Sequence, residues 1–181
     1  DQEISKILPV MLTVTKYFRN YKFIICAAPS KTKSFYKKFI NKNYCENIDI
    51  VENQTYNILH KSSAALVASG TATLEAALIK TPQVVCYKSS WISIQIGKFL
   101  LRNLKFISLV NLILNKVAVK ELIQGDLNTK NIKKELEIIL FGDGKDRVLD
   151  YYNELEKLLD KKGASRETAE KIVNYHLPSN S

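Results

Sequence analysis

Ala64-Ala-Leu-Val-Ala-Ser-Gly-Thr-Ala-Thr-Leu-Glu-Ala-Ala-Leu-Ile79 is the stretch whose reading decides the fold. Its first five residues are an apolar run of strand length, and residues 71–79 carry an amphipathic helical pattern. Ser69 and Gly70 are all that separates them. A strand that passes into a helix through so short a turn is the βα unit of an α/β protein. Such a junction leaves backbone N–H groups free at the positive end of a helix, on the carboxyl edge of the sheet, and a phosphate binds there with little side-chain help. Ser69, Thr71 and Thr73 add hydroxyl donors around Ala72, and Gly70 permits close backbone approach. Glu75 reads as part of the first helical turn. A carboxylate beside a phosphate is electrostatically unfavourable unless it accepts hydrogen bonds from neutral groups, and sugar hydroxyls meet that need. The local reading is a nucleotide or nucleotide-sugar site. The same residues also read as an ordinary helix capped by Thr71, with Glu75 in water. The turn has neither the G-x-G-x-x-G spacing of a dinucleotide fingerprint nor the lysine of a P-loop.

On the amino-terminal side, residues 2–18 read as a helix with Pro9 as its start or kink, and residues 21–27 as a short strand. A basic helix over 32–40, an alternating strand over 47–51 and a short helix over 55–61 follow. On the carboxyl-terminal side, a strand is expected over 83–87, a longer helix over 91–104 and a last strand-like piece over 105–109. From about residue 117 the pattern reads as wholly helical: 119–124, then 128–141 from the N-cap candidate Asn128, then 146–162. Gly163 reads as a C-cap and Ser165 as the start of a last helix. The fold class that follows is α/β, a Rossmann-like parallel sheet with helices on both faces and a helical C-terminal tail. The expected organisation is an α/β nucleotide-binding domain over 1–127 and the tail over 128–181.

The 181 residues are 46% apolar with only 6 glycines and 4 prolines, enough for one cored domain and little disorder. No apolar run reaches membrane-spanning length, and no leader pattern is visible. The chain opens Asp-Gln-Glu and enters a helix pattern at once, which reads as a piece of something longer. Cys26, Cys45 and Cys86 lack metal-type spacing and read as free thiols in a reducing compartment. His60 and His176 have no nearby ligand partners, so no metal site is expected.

A formal charge of +9 calls for an anionic partner or a lysine-rich solvated surface. Trp91, Gln95, Lys98, Arg102 and Lys105 fall on one side of the helix expected over 91–104, opposite Ile92, Ile96 and Phe99. That face suits an anionic membrane surface, and an exposed helix on a sheet explains it equally. Ser108 and Asn111 are polar residues inside an apolar run, and Glu121 and Gln124 sit three apart on what reads as one helix face.

In order along the chain, Ala68-Ser-Gly-Thr-Ala-Thr-Leu-Glu75, Pro82-Gln-Val-Val-Cys-Tyr87, Ile107-Ser-Leu-Val-Asn-Leu-Ile113, Glu121-Leu-Ile-Gln124 and Gly163-Ala-Ser165 resemble the C-terminal half of lipid-A-disaccharide synthase. The likeness extends through Ala28-Pro-Ser30 and Phe35-Tyr-Lys-Lys38 to cover essentially the whole chain. The resemblance implies a GT-B enzyme with two Rossmann-like domains. It implies transfer of 2,3-diacylglucosamine from UDP-2,3-diacylglucosamine to the 6-hydroxyl of lipid X, with inversion, in lipid A biosynthesis. No cofactor and no metal are implied. Ser69, Gly70, Thr71, Ala72 and Thr73 would line the diphosphate, Glu75 would accept from the ribose, Tyr56 would lie near the uracil, and Asn111 and Gln124 match positions facing the cleft. Catalytic residues belong to an N-terminal domain that the matching region does not include. A family strand ending in a Gly-Ser-Arg turn, just ahead of the segment matching Gln2, is also absent. The implied setting is a cytoplasmic enzyme, peripheral on the inner membrane of a Gram-negative bacterium, as a homodimer and with no nucleic acid. Two alternatives stand beside it. One is another UDP-N-acetylglucosamine-using enzyme of this fold. The other is a basic nucleic-acid-binding module, hinted at by Tyr36 and Tyr44 near Lys37, Lys38 and Lys42.

Overall fold

In the computed structural model of the chain, residues 2–40, 47–68, 70–88 and 105–161 are described. Their elements run α1 (Gln2–Leu12), a 3-10 turn (Thr15–Tyr17), β1 (Phe23–Ala27), α2 (Lys33–Lys37), β2 (Ile48–Glu52) and α3 (Thr55–Lys61). Then come β3 (Ala65–Ala68), α4 (Thr71–Leu78), β4 (Gln83–Tyr87), α5 (Leu109–Leu114), β5 (Lys120–Ile123), α6 (Thr129–Phe141) and α7 (Gly144–Lys161). The helix expected over 91–104, Cys45, His176 and the Gly163–Ser165 caps lie outside the described residues.

Every strand pair is parallel, as a chain alternating short apolar runs with helices dictates. The strands form two sheets, β1 with β2, and β3–β4–β5 in that order. β4 is the centre of the larger sheet, and its first four residues, Gln83 to Cys86, are buried. Val84, Val85 and Cys86 enter one core with Leu122 of β5, Ile132, Leu136 and Ile139 of α6, and Val148, Tyr152 and Leu155 of α7. The two carboxyl-terminal helices therefore share the core of the sheet. A Cβ at Gly144 would collide with the Ile138 side chain, so glycine permits the tight approach of α7 to the end of α6.

α1 ties the two sheets together. Its Leu8 and Leu12 pack with Ala27 and Tyr36 beside β1 and β2, while its Ile7 packs with the core of the larger sheet. Helical spacing alone places such neighbours on adjoining faces. Pro9 lies inside α1, which ends at Leu12 rather than continuing to residue 18. Thr13 and Thr15 donate their hydroxyls to the Val10 and Leu12 carbonyls at 2.6 and 2.8 Å, using acceptors that a longer helix would need.

Two expectations are corrected by tertiary contacts. Within residues 119–124, expected as a helix, Lys120–Ile123 form β5, with Glu121 and Leu122 registered against Val85 and Cys86. Glu121 and Gln124 therefore do not share a helix face. Residues 105–109, expected as a strand, instead lead into α5, whose N-cap is Ser108. Lys120-Glu-Leu-Ile123 has too few apolar residues to set a period, and pairing along β4 decides it.

Candidate functional site

The carboxyl ends of β3, β4 and β5 lie at one edge of the larger sheet, with Ala68 opposite Cys86 and Tyr87 opposite Ile123. α4 begins at this edge. Its N-cap, Gly70, has φ 134 and ψ −161, a backbone that residues with a Cβ rarely adopt. Nothing lies within 4 Å of where a Cβ would stand, so the backbone is open to close approach. The N–H groups of Thr71 and Ala72, the first two helical residues, have no acceptor within the helix. Thr71 is exposed, and Ser69 lies outside the described residues.

Thr73 is turned the other way. It is fully buried, its Oγ1 donates to the Gly70 carbonyl at 2.8 Å, and its N–H reaches the same carbonyl at 3.2 Å. Its hydroxyl therefore holds the turn shut from inside. Glu75 is the fifth residue of α4, just past the first turn in which the sequence reading placed it. It shares the outer stripe of the helix with Thr71 and Leu78, is half-buried, and its carboxylate has no hydrogen-bond or ion-pair partner among the described residues.

Asn111 lies in the interior, 1% exposed. Its Nδ2 donates to the Val119 carbonyl at 2.8 Å and to Glu121 Oε1 at 2.9 Å, and its Oδ1 accepts from the N–H groups of Ala118 and Val119 at 2.8 and 2.9 Å. With every amide position used, Asn111 fixes the chain entering β5 rather than facing solvent. Glu121 completes the arrangement by accepting from Ile107 N–H, Ser108 N–H and Ser108 Oγ at 3.0, 2.8 and 2.7 Å. A carboxylate so placed neutralises the positive end of α5, and sequence reading missed it because Glu121 lies 13 residues from the N-cap Ser108.

Gln124 follows β5 at the same edge as Gly70, with φ 54. A left-handed backbone costs a non-glycine residue on the order of 1 kcal/mol, and position-specific constraint is the usual reason it persists. Its Nε2 is buried without an acceptor among the described residues. Tyr56, 61% exposed, is the second residue of α3, which starts just past the carboxyl end of β2. The larger sheet thus brings Gly70, Thr71, Ala72 and Gln124 to its carboxyl edge and the smaller sheet brings Tyr56 to its own, while Thr73 and Asn111 point inward.

A buried polar chain behind α4 was not foreseen. Gln83, 1% exposed, donates from Nε2 to the Thr73 carbonyl at 2.8 Å and to the Tyr152 hydroxyl at 3.1 Å, and Tyr152 donates to the Thr81 carbonyl at 3.2 Å. Burial pushes the Tyr152 phenol well above its usual range. Burial likewise pushes the Cys86 thiol up to about 12, so it serves as a small apolar group. Among the described residues no cluster of metal-ligating side chains occurs, and no helix is long and apolar enough to cross a membrane.

Parallel strands flanked by helices, with a glycine-opened helix end at the carboxyl edge, define a Rossmann-like domain consistent with the C-terminal domain of a GT-B enzyme. The family profile described as lipid-A-disaccharide synthetase matches residues 1–174, and the chain belongs to that family. Among its relatives, the lipid-A-disaccharide synthase of Anaeromyxobacter sp. (strain K) is 30% identical over 177 residues, covering 94% of this chain and 46% of the relative. That of Francisella tularensis subsp. novicida (strain U112) is 35% identical over 160 residues, covering 86% and 42%. The chain spans less than half the length of these curated relatives.

Proposed function

We propose that the chain is the donor-binding half of a glycosyltransferase of lipid A biosynthesis. The reaction transfers 2,3-diacylglucosamine from its UDP donor to the 6-hydroxyl of lipid X with inversion, releasing UDP. The observation that carries this reading is the open amino end of α4 at the carboxyl edge of the larger sheet, in a chain of this family. Thr71 and Ala72 offer N–H donors and Gly70 a bare backbone for a diphosphate, and the half-buried Glu75 carboxylate is uncommitted among the described residues and suits ribose hydroxyls. Gln124 brings an unpaired amide to the same edge, and Tyr56 an exposed ring for the uracil. Asn111 acts through the backbone it fixes. Residues that move protons belong to the partner domain, and the enzyme works as a homodimer on the cytoplasmic face of the inner membrane.

β1 (Phe-Ile-Ile-Cys-Ala) and β3 (Ala-Leu-Val-Ala) carry no charge, whereas the other two edge strands carry Asp49 and Glu52 in β2, and Lys120 and Glu121 in β5. Native edges are usually blunted by charge. Two uncharged edges fit a site for one more parallel strand between the sheets.

Calorimetric titration of UDP, with the amino-terminal half supplied, tests the site. Glu75→Ala is expected to weaken UDP about ten-fold, the loss of hydrogen bonds to a charged acceptor. Absence of UDP binding, or binding indifferent to Glu75, sinks the assignment. Tight, steeply salt-dependent binding to a generic DNA duplex would instead favour the nucleic-acid alternative.

A further inference from the structure

Gln83 is the polar member of the buried run in β4, where Val84, Val85 and Cys86 follow it. Burying an amide costs more than burying a hydrocarbon of similar size, and only hydrogen bonds offset the difference. Its Nε2 is bound twice, to the Thr73 carbonyl at 2.8 Å and the Tyr152 hydroxyl at 3.1 Å, whereas Oε1 meets no donor among the described residues. Folding stability alone therefore favours an unbranched apolar side chain here. What the amide adds is a hold on α4 from behind. The carbonyl it binds belongs to the third residue of α4, and that residue closes the Gly70 turn from inside. Thr73 N–H and Oγ1 both reach the Gly70 carbonyl, at 3.2 and 2.8 Å. The far end is fastened too. Tyr152 donates to the Thr81 carbonyl at 3.2 Å, and Thr81 donates from N–H to the Ala76 carbonyl at 2.9 Å and from Oγ1 to the Leu59 carbonyl at 2.8 Å. Buried groups thus run without a break from α7 to the turn that opens the amino end of α4.

We propose that Gln83 is a positioning residue of the Gly70 turn: its amide, oriented by Tyr152 of α7, sets Thr73 and through it the Gly70 carbonyl, so that the Thr71 and Ala72 N–H groups converge on a diphosphate. The ligand rests on the donor-site reading above, and the hold on the turn rests on the hydrogen bonds alone. A turn that samples other arrangements binds more weakly in proportion to the fraction of time it is misplaced. Gln83 touches no ligand itself and acts through Thr73.

Gln83→Met separates positioning from stability. Methionine is unbranched and of similar length, and it strands neither partner: Ala77 lies four residues beyond Thr73 within α4 to serve its carbonyl, and the Tyr152 hydroxyl keeps Thr81. The urea midpoint of the 181-residue chain is therefore expected at or above that of the wild type. Amide exchange at Thr73 should rise about five-fold, the factor that one net hydrogen bond supplies, with exchange at Val85 unchanged. UDP, titrated with the amino-terminal half supplied, should bind about five-fold more weakly. Tyr152→Phe should produce both changes at about two-fold, since Gln83 then keeps Thr73 and loses only its orienting hydroxyl. Ile139→Ala, a core truncation on α6, should lower the urea midpoint while Thr73 exchange and UDP affinity stay within about two-fold. Unchanged Thr73 exchange in Gln83→Met overturns the proposal, and so does unchanged UDP affinity where the wild type binds UDP. A lowered midpoint with exchange rising alike at Thr73 and Val85 also overturns it, because that is the mark of a merely structural glutamine. Failure of the wild type to bind UDP sinks the donor-site reading instead, and Thr73 exchange then decides whether Gln83 sets the turn.

Discussion

The two sheets are made of similar residues and differ in what covers them. In β4 four consecutive residues are buried, with α6 and α7 packed into the same core. In β1, Phe23, Ile24, Ile25 and Cys26 are only half-buried, although they are as apolar as Val84, Val85 and Cys86. β2 is half-buried or exposed throughout. The smaller sheet rests on α1, α2 and a cluster built around Leu8, Leu12, Ala27 and Tyr36. Strand composition thus measures how much burial a position calls for, and the surrounding helices decide how much it receives. The shortfall falls on both strands of the smaller sheet.

The sharpest test of that contrast is a pair of truncations followed by urea denaturation. Leu122→Ala in β5, at a site 1% exposed, is expected to cost about 3 kcal/mol. Ile25→Ala in β1 should cost about 1 kcal/mol, because a half-exposed side chain forfeits less transfer energy and leaves no closed cavity. Equal losses would break the comparison.

Asn111→Ala should come next, at about 2 kcal/mol, since it strands the N–H groups of Ala118 and Val119 and removes a donor from Glu121. Chemical denaturation measures it. A loss below about 0.5 kcal/mol would mean that Asn111 is not the fastening of β5 to α5.

The smallest effect is alkaline. The Cys86 thiol titrates near its ordinary value when unfolded and at about 12 when folded. Between those values the unfolded chain holds fewer protons than the native one, so stability falls as pH rises. The contribution is fully present below about pH 9 and is lost at roughly 1 kcal/mol per pH unit above it. Denaturation midpoints at pH 8 and pH 10 check this, and Cys86→Ala should flatten the dependence. Cys26, half-buried on β1, has a smaller rise from burial, opposed by a hydrogen bond with Thr55, and should contribute less.

The backbone of the candidate site was legible. The small-residue turn at Gly70 followed by the α4 pattern marked a βα junction, and the positive φ of Gly70 is the backbone that such a turn demands. What escaped reading was direction. Thr71 and Thr73 look alike in sequence, yet one is exposed and the other spends its hydroxyl on the Gly70 carbonyl. Only the family resemblance placed Asn111 at the cleft; the residues alone left a turn of the chain open, and the structure uses its amide on Ala118, Val119 and Glu121. Glu121 was noticed for the wrong partner, since its role as a cap depends on β5 lying beside α5.

The sequence by itself determined the parallel α/β class, most strands and helices, and the glycine-opened helix end, because local periodicity and turn chemistry act over a few residues. Tertiary structure alone decided that residues 120–123 are a strand, that Thr73, Asn111 and Gln83 face inward, and that the sheet is in two parts. Those outcomes rest on hydrogen bonds between residues far apart in the chain, such as Gln83 with Tyr152, and on the burial that only packed neighbours provide.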